Sequence, residues 1–502
     1  MCSIAGSKNK IYVRKMLKTM KHRAPDDEGI IDDGRFAVGM GRLSIIDLLS
    51  SGLCPYEENG LVLAYNGEIY NYLELREELK KRGWRFRTNS DTEVLMKSFR
   101  EWGVKMFDRL NGMFAFAIYD KRRQKLFLAR DIAGEKPLYY YQKGEDFMFA
   151  SEAKAFLKVA DPGYREGKFF EAFQHCNEET LLSNVYLLPA ASYLTLDLKS
   201  MNRKIKPYWE FKPRVINPKT CEEELENLLE DSIKLRTRSD VPYGLYYSGG
   251  IDSSLISTFH NFRHKFYFDD GKNWREDFFQ TIEKIVWHLD FPVGSLSAYP
   301  LWKLAQAAQR KVKVVISGEG ADEVFGGYVR YLPIAREWEL RRQYPSYEYL
   351  FNRHFPSYLD GFAKTTARND NLEYVKSKIK PYFEMFNDPI NAMGFADFKL
   401  VLPSLLQMGD RMAGAFGLEN RCPFLDRRII EFGFSLPPEL KVNGLELKFL
   451  LRKILAKRGL SEPLIREKKG LTILFNKWFN KNDWDRGIYF KLLNRKWSKV
   501  FG

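Results

Sequence analysis

Tyr247-Ser248-Gly249-Gly250-Ile251-Asp252-Ser253-Ser254 is the stretch around which the chain is organised. An apolar, β-prone run, Val241 to Tyr247, leads into it, and Leu255-Ile256-Ser257-Thr258-Phe259 follows. That order predicts a strand, a tight glycine turn and the start of a helix. Gly249 and Gly250 let the backbone come close to a ligand and accept positive φ. The hydroxyls of Ser248, Ser253 and Ser254 then join the N–H groups of a helix N-terminus, a set suited to one anion. Asp252 would repel a bare phosphate, so a divalent cation is expected between the two. For the Ser-Gly-Gly triplet taken alone, an ordinary turn before a helix is the alternative.

The full SGGxDS string resembles the pyrophosphate loop (PP-loop) of enzymes that split ATP into AMP and pyrophosphate. Such enzymes activate a carboxylate or carbonyl as an adenylate. The string is not a Walker A loop, because the Gly-Lys-Ser/Thr ending is missing.

Composition narrows the class. The 502 residues suffice for two or three domains, and 45% apolar with 15% aromatic residues suffice for packed cores, which argues against disorder. No apolar run reaches the length of a membrane span and the N-terminus has no signal-peptide core, so a cytoplasmic location is expected. Cys2, Cys54, Cys176, Cys221 and Cys422 are scattered without Cys-x-x-Cys spacing. That argues against a metal knuckle or disulfide framework and for a reducing compartment. The net charge is +15, with much of the excess late, as in Lys448, Arg452, Lys453, Lys457, Arg458, Arg466, Lys468, Lys469 and Lys477. A solvated basic face that also receives anionic substrates accounts for it. RNA binding, as in tRNA-modifying enzymes that share the loop, is the competing reading.

The chain begins Met1-Cys2-Ser3-Ile4-Ala5-Gly6. Methionine is readily removed before a small residue, and Cys2 would then carry a free α-amine beside its thiol. An amine with a pKa of about 8 can act as the base for that thiol. A short amphipathic helix precedes a polar turn, His22 to Gly29, and Arg42 to Asp47 ends a strand. Leu61 to Tyr65 forms another, which empties into Asn66-Gly67-Glu68-Ile69-Tyr70-Asn71. A helix over 72–82 follows, then Ser90-Asp91-Thr92-Glu93, a capping box before a further helix. Met113 to Tyr119 and Lys125 to Arg130 form a strand pair.

These stretches, with Asn111 to Asp120, Arg130 to Tyr140 and Ser151 to Lys154, resemble the class II glutamine amidotransferase domain of the asparagine synthetase family. The resemblance covers residues 2–205 in order and spacing. It implies an N-terminal-nucleophile fold, two stacked antiparallel sheets between helices (an αββα sandwich). It also implies that Cys2 attacks the γ-amide of glutamine, while the Asn66 side chain and the Gly67 N–H hold the oxyanion. Arg42 then pairs with the glutamine α-carboxylate, and Glu68 and Asp91 receive its α-ammonium. A surface pair and a helix cap are the plainer readings of Arg42 and Asp91. Ala24 stands where the family usually has glycine, and Cys54 is a second departure; neither touches these roles.

Residues 206–220 are rich in proline and polar side chains and suit a linker. Glu222 to Arg236 has helical spacing and leads into the 247–254 loop. Val312 to Ile316 reads as a buried strand emptying into Ser317-Gly318-Glu319-Gly320-Ala321-Asp322-Glu323, and an open α/β sheet binds ligands at such carboxyl ends. The stretch resembles the second signature of the family's catalytic domain. By that resemblance Tyr247, Ser248, Gly249, Gly250, Asp252, Ser253, Tyr267, Ser317 and Gly318 meet ATP. Glu319 and Asp322 position the substrate or adenylate, and Asp252 and Asp322 hold Mg²⁺; helix capping is the alternative for Asp322. Asp410-Arg411-Met412 and Leu418 to Asp426 are also close to family stretches, although Ala413 and Gly414 replace the usual Ser-Met. Lys448 opens Lys-Phe-Leu-Leu-Arg, where the family's lysine faces the phosphates of the reacting adenylate. Residues 221–502 are thus expected to form a parallel-sheet PP-loop α/β domain with a helical C-terminal part.

Between Ser254 and Ser317 the chain is several dozen residues shorter than the family pattern. His264 to Asp270 reads as the second sheet strand, whose backbone would read adenine. The strand–helix unit that usually follows, with an acidic pair and a double histidine, is missing. Tyr247 stands where an aliphatic residue usually packs beside the base. Two outcomes are open: an adenine pocket rebuilt from other side chains, or a weakened synthetase site. His260 and His264, at i and i+4 on a possible helix, have no third ligand nearby and are read as incidental.

The expected function is glutamine-dependent asparagine synthesis, with glutamine hydrolysed at Cys2 and aspartate adenylated by ATP and Mg²⁺ at the 248–254 loop. Ammonia would pass between them by a dry interior path, giving asparagine, AMP and pyrophosphate. Amidation of another carboxylate is the alternative, and a scaffold without ATP chemistry a further one. The expected partners are small molecules, glutamine, aspartate and ATP, without membrane or nucleic acid; a homodimer is left open.

Overall fold

The computed structural model describes residues 1–49, 54–173, 175–268, 274–348, 352, 357–366, 371–465 and 486–501. Asp269, Asp270, Arg466, Lys468, Lys469 and Lys477 lie outside the described residues. Twelve strands make up the first sheets: β1 (Ser3–Ser7), β2 (Asp27–Asp32), β3 (Ala37–Arg42), β4 (Tyr56–Glu58), β5 (Leu61–Ile69), β6 (Gly112–Asp120), β7 (Lys125–Arg130), β8 (Tyr139–Lys143), β9 (Asp146–Ala150), β10 (Val185–Leu187), β11 (Ser192–Asp197) and β12 (Arg203–Pro207). They form two six-stranded antiparallel sheets, ordered β10-β8-β9-β1-β3-β2 and β12-β11-β7-β6-β5-β4.

Strand β6 shows why the sheets stack. Successive side chains on a strand face opposite ways. Ala115, Ala117 and Tyr119 point into the sandwich with Ile4, Val38, Met40 and Leu128, whereas Phe114, Phe116 and Ile118 face outward. The helices Tyr72–Lys81 and Asp91–Trp102 cover that outer face through Leu75, Leu79, Val94 and Leu95. Fully burying a side chain such as Phe116 is worth about 1.5–3 kcal/mol. On the other sheet the helix Lys10–Thr19 does the same through Val13, Met16 and Leu17. The result is the αββα sandwich expected of an N-terminal-nucleophile fold.

Three local expectations are corrected. The strand expected to end at Tyr65 continues to Ile69, because Asn66, Gly67 and Glu68 pair with Ala115, Phe114 and Met113 of β6. Ser90 caps its helix by accepting from the Thr92 N–H at 3.0 Å, but Glu93 does not complete the capping box. Its carboxylate instead accepts from the N–H groups of Arg87 and Thr88 at 3.0 and 2.8 Å. The 22–29 segment is no simple polar turn: Arg23 is fully buried and Asp27–Asp32 is a strand.

Beyond the helix Cys221–Arg236 lies a parallel sheet of β13 (Tyr243–Tyr246), β14 (Lys265–Phe266), β15 (Val314–Ile316) and β16 (Glu419–Arg421), ordered β14-β13-β15-β16. The strands are shorter than the runs 241–247 and 312–316 suggested. The helix expected after the glycine turn runs from Ile251 to Phe259. His260 lies just past its end, where its ring meets the Tyr243 hydroxyl at 3.0 Å. As expected, the C-terminal part is helical, and among the described residues no helix is long and apolar enough to cross a membrane.

In the shortened segment the structure places a helix, Trp274–Leu289, that buries Phe278, Ile282, Ile285, Val286 and Leu289. This spacing is one helix face, and it packs with the helices Ala298–Ala308 and Leu402–Gly414. Its C-terminal end docks onto the sandwich. Asp290 accepts from Lys154 and Arg411 at 2.9 Å each, and the His288 ring lies 4.5 Å from that of His22. Arg23 bridges Glu152 at 3.0 Å and Asp410 at 2.8 Å in the same cluster.

Burial holds both histidines below their ordinary pKa, His288 down to about 2, with Lys154 and Arg411 adding to the effect there. For a group whose folded pKa is depressed, the unfolded chain binds the extra proton, so stability is intact above the unfolded value and falls below it. Each pH unit below 6.5 should therefore withdraw up to about 1.4 kcal/mol per histidine. Urea midpoints at about pH 7.5 and about pH 5.5 should show the loss, and His288→Gln should flatten it; an unchanged pH profile in that variant would contradict the assignment.

Candidate active site

Two pockets sit back to back. The first is a cavity of about 30 Å³ lined by Cys2, Arg42, Gly67, Glu68 and Asp91, with Glu419 on its far wall. It has room for little more than water, so a larger ligand must widen it. Cys2 is at the start of β1, where its N–H donates to Asn66 Oδ1 at 3.1 Å. Asn66 is fully buried on β5, and its Nδ2 has no hydrogen-bond partner among the described residues. An orphaned amide donor beside a thiol is a feature that an anionic oxygen would satisfy. Next to it Gly67 has φ 153°, and a Cβ there would lie 2.1 Å from the Met113 carbonyl oxygen. Only glycine fits where β5 presses on β6.

The polar rim has a clear electrostatic character. Arg42 Nη2 donates to the carbonyls of Ile46 and Asp47 at 3.0 and 2.8 Å, which fixes the guanidinium at the pocket edge. Asp91 accepts from the Tyr65 hydroxyl and the Ile69 N–H at 2.8 and 3.0 Å. Burial raises the pKa of Asp91, and burial together with the neighbouring Asp91 raises that of Glu68 well above the usual range. A cation placed beside these two buried carboxylates would lower both again, as Arg421 already does in part. Met1 is buried here too, with its amine pushed down to about 5 by burial and its Sδ 3.5 Å from Lys136 Nζ.

The second pocket, about 210 Å³, opens at the carboxyl ends of the parallel strands. Tyr247, Ser248, Asp252, Ser253, Ser317, Gly318, Glu319 and Asp322 all line it. The loop is tied by Ser248 Oγ and Ser253 Oγ at 3.1 Å, and Gly249 has φ 71°. Lys448 Nζ reaches Asp252 Oδ1 and Asp322 Oδ1, each at 2.6 Å. Burial works against its charge, yet the two carboxylates hold its pKa above the usual value. Gly327 makes room, since a Cβ there would meet Asp322 Oδ1 at 1.9 Å and Lys448 Cε at 2.1 Å. Opposite the loop, Phe268, Leu301, Leu304, Leu405 and Met408 form an apolar wall. Tyr267 is 62% exposed, edge-on to Tyr247 at 5.3 Å, and Phe268 faces the cavity instead.

Strand β16 joins the pockets through its two faces. Glu419 lines the first, and Arg421 donates to Glu68 Oε2 at 3.1 Å and to Glu419 Oε1 at 2.9 Å. From the opposite face Asn420 Nδ2 donates to Glu319 Oε2 at 2.9 Å in the second pocket. Burial pushes the Glu319 carboxyl up to about 7. Within Leu418 to Asp426, the sequence alone assigns no role to Glu419, Asn420 or Arg421. Their period-two alternation was the available signal. The apolar wall was also missed, because its residues come from segments far apart in the chain.

Comparison with known proteins gives two matches along the chain. The family described as glutamine amidotransferase domain matches residues 1–209, and that described as asparagine synthase matches 224–266 and 272–495. Glutamine-hydrolyzing asparagine synthetase 1 of Bacillus subtilis (strain 168) is 32% identical over 550 residues, covering 95% of this chain and 86% of that one. A putative glutamine-hydrolyzing asparagine synthetase of Methanocaldococcus jannaschii is 34% identical over 384 residues, covering 64% of this chain and 73% of its own. Among solved structures, a glutamine phosphoribosylpyrophosphate amidotransferase from B. subtilis overlaps with a TM-score of 0.32 at 17% identity, covering 49% of this chain and 61% of that chain.

Proposed function

Because the chain belongs to the family of glutamine-hydrolysing asparagine synthetases, we propose that its two pockets divide that reaction, Cys2 releasing ammonia and the Ser248–Ser253 loop activating aspartate. The enzyme uses glutamine, aspartate and ATP and yields asparagine. The single observation that carries the division of labour is β16, with Glu419 at one pocket and Asn420, bound to Glu319, at the other. We assign residues 2–205 to glutamine hydrolysis and 221–502 to synthesis, with 206–220 as the linker.

In the first half, removal of Met1 frees the Cys2 amine to serve as base for its own thiol. The thiol attacks the glutamine γ-amide, and the unspent Asn66 Nδ2 and the Gly67 N–H receive the oxyanion. Arg42 takes the α-carboxylate. Glu68 and Asp91 take the α-ammonium, whose charge lowers their raised pKa values again.

In the second half, Ser248, Gly249, Gly250 and Ser253 cradle the phosphates, with Ser317 and Gly318 alongside. The apolar wall from Phe268 to Met408 supports a rebuilt adenine pocket rather than a weakened site. Asp252 and Asp322 converge on one cationic nitrogen, so two hard oxygen donors already meet where Mg²⁺ would be held beside substrate phosphates. Among the described residues no set of three or more His, Cys, Asp or Glu gathers for a metal. Mg²⁺ would supply charge neutralisation at the reacting phosphate. Lys448 then turns from the carboxylates toward the phosphates. Glu319, titrating near neutrality, takes the proton from the attacking nitrogen.

Aspartate is the acceptor favoured by the relatives. The test is AMP release with glutamine and ATP against a panel of acids: aspartate should stimulate it with asparagine as product. Release driven by another carboxylate and not by aspartate would overturn the reading. A cytoplasmic location is proposed, where Cys2, Cys54, Cys176, Cys221 and Cys422, all unpaired, stay reduced. Light scattering at twice the chain mass would establish a homodimer.

A further inference from the structure

Away from both reaction pockets, a cavity of about 410 Å³ lies between the two halves. Arg130, at the end of β7, and Glu178 belong to its sandwich side. Lys378 on the helix Leu372–Met385 and Lys399 on the helix Pro389–Leu400 belong to the other. Three cationic side chains against one carboxylate leave a surplus of positive charge in a hollow that Phe169, Leu187 and Leu400 make partly apolar.

Among the described residues neither Lys399 nor Arg130 has a carboxylate in hydrogen-bond contact, although Asp131 acts on Arg130 through space. Among the described residues the Lys399 ammonium has ring contacts only, 5.2 Å from the Trp209 ring, 5.5 Å from Phe395 and 5.4 Å from Phe398. Burial alone pulls its pKa down to about 8, so the charge is kept at neutral pH against a desolvation cost. Arg130 is buried and donates to the carbonyls of Lys136, Leu188 and Gly134 at 2.8, 2.9 and 2.7 Å. A guanidinium has five N–H donors, so two stay uncommitted. Glu178 answers part of this charge; burial raises its pKa while Lys378 works to lower it. A volume of this size with a few convergent polar groups and apolar walls is that of a small-molecule site.

We propose that this cavity binds a small organic dianion, a dicarboxylate or a phosphate monoester, held by Arg130, Lys378 and Lys399 with its carbon skeleton against Phe169, Leu187 and Leu400. Such an occupant bridges the two halves of the enzyme. Arg130 also clasps the loop that ends in Lys136, whose Nζ is 3.3 Å from the Asn420 carbonyl between the reaction pockets.

Calorimetry on the full chain tests the site with succinate, with inorganic phosphate and, as a monoanion at equal ionic strength, with acetate. At least one dianion should bind tenfold or more tightly than acetate, by about the worth of one charge-assisted contact. Its affinity should fall at least tenfold in Lys399→Met and in Lys378→Met. Binding of succinate alone assigns dicarboxylates, and binding of phosphate alone assigns phosphate monoesters. Lys378 and Lys399 belong to neither reaction pocket, so dianion binding there would survive both substitutions. Survival in both variants, or no preference for dianions, overturns the proposal. Should Lys399→Met fail to fold, the half-buried Lys378→Met decides alone.

Discussion

Replacing Cys2 by alanine is expected to abolish glutamine-dependent asparagine formation, by at least about 10⁴-fold, because the covalent step has no substitute group. Asparagine formation from added ammonium should persist at close to its original rate. The separation follows from geometry: Cys2 lies in the small pocket behind β16, and its side chain is absent from the larger pocket. Product assays with the two nitrogen sources, run side by side, give the answer. Loss of both activities, in a variant that still melts cooperatively, would contradict two separate pockets.

The converse is expected of Lys448→Met. Synthesis from either nitrogen source should fall by about 10²–10³-fold, the usual cost of removing one preorganised charge from a phosphoryl site. Glutamine hydrolysis should be spared. A second readout concerns the empty protein. Lys448 holds both Asp252 and Asp322, so its removal leaves two carboxylates facing each other in a partly buried site. Breaking such a pair by deleting one partner costs on the order of 3–5 kcal/mol. Melting should therefore drop in the variant and recover with added Mg²⁺, which binds the vacated acids by mass action. A variant that melts like the parent and ignores Mg²⁺ would remove Lys448 from the role assigned to it.

Much of this was legible in the chain because it is local. The SGGxDS turn, the strand pair of Met113 to Tyr119 with Lys125 to Arg130 and the step Asn66-Gly67 each declare themselves within a few residues. The side chains that unite the pockets do not. Arg421 reaches Glu68 across more than three hundred positions, and no periodicity links the two. Leu301 and Leu304 on the helix Ala298–Ala308 read as one buried face, but nothing local says that the face borders a ligand cavity. For the segment between Ser254 and Ser317 the sequence leaves both a rebuilt pocket and a weakened site open, because it shows which unit is missing but not what packs in its place. The helix Trp274–Leu289 occupies that segment, and its C-terminal end meets His22, Glu152 and Lys154, contacts that only the tertiary fold creates. Glu93 failed as a capping residue for a similar reason: its carboxylate accepts from the Arg87 and Thr88 N–H groups of the preceding loop instead.

The coupling of the two pockets can be tested by following the nitrogen. Glutamine carrying heavy nitrogen in its amide is supplied with aspartate, ATP and an excess of unlabelled ammonium, and the asparagine formed is analysed by mass. If ammonia passes inside along β16, the asparagine amide should carry the label in spite of the external pool. An amide nitrogen that follows the unlabelled ammonium would show that the two pockets are not joined.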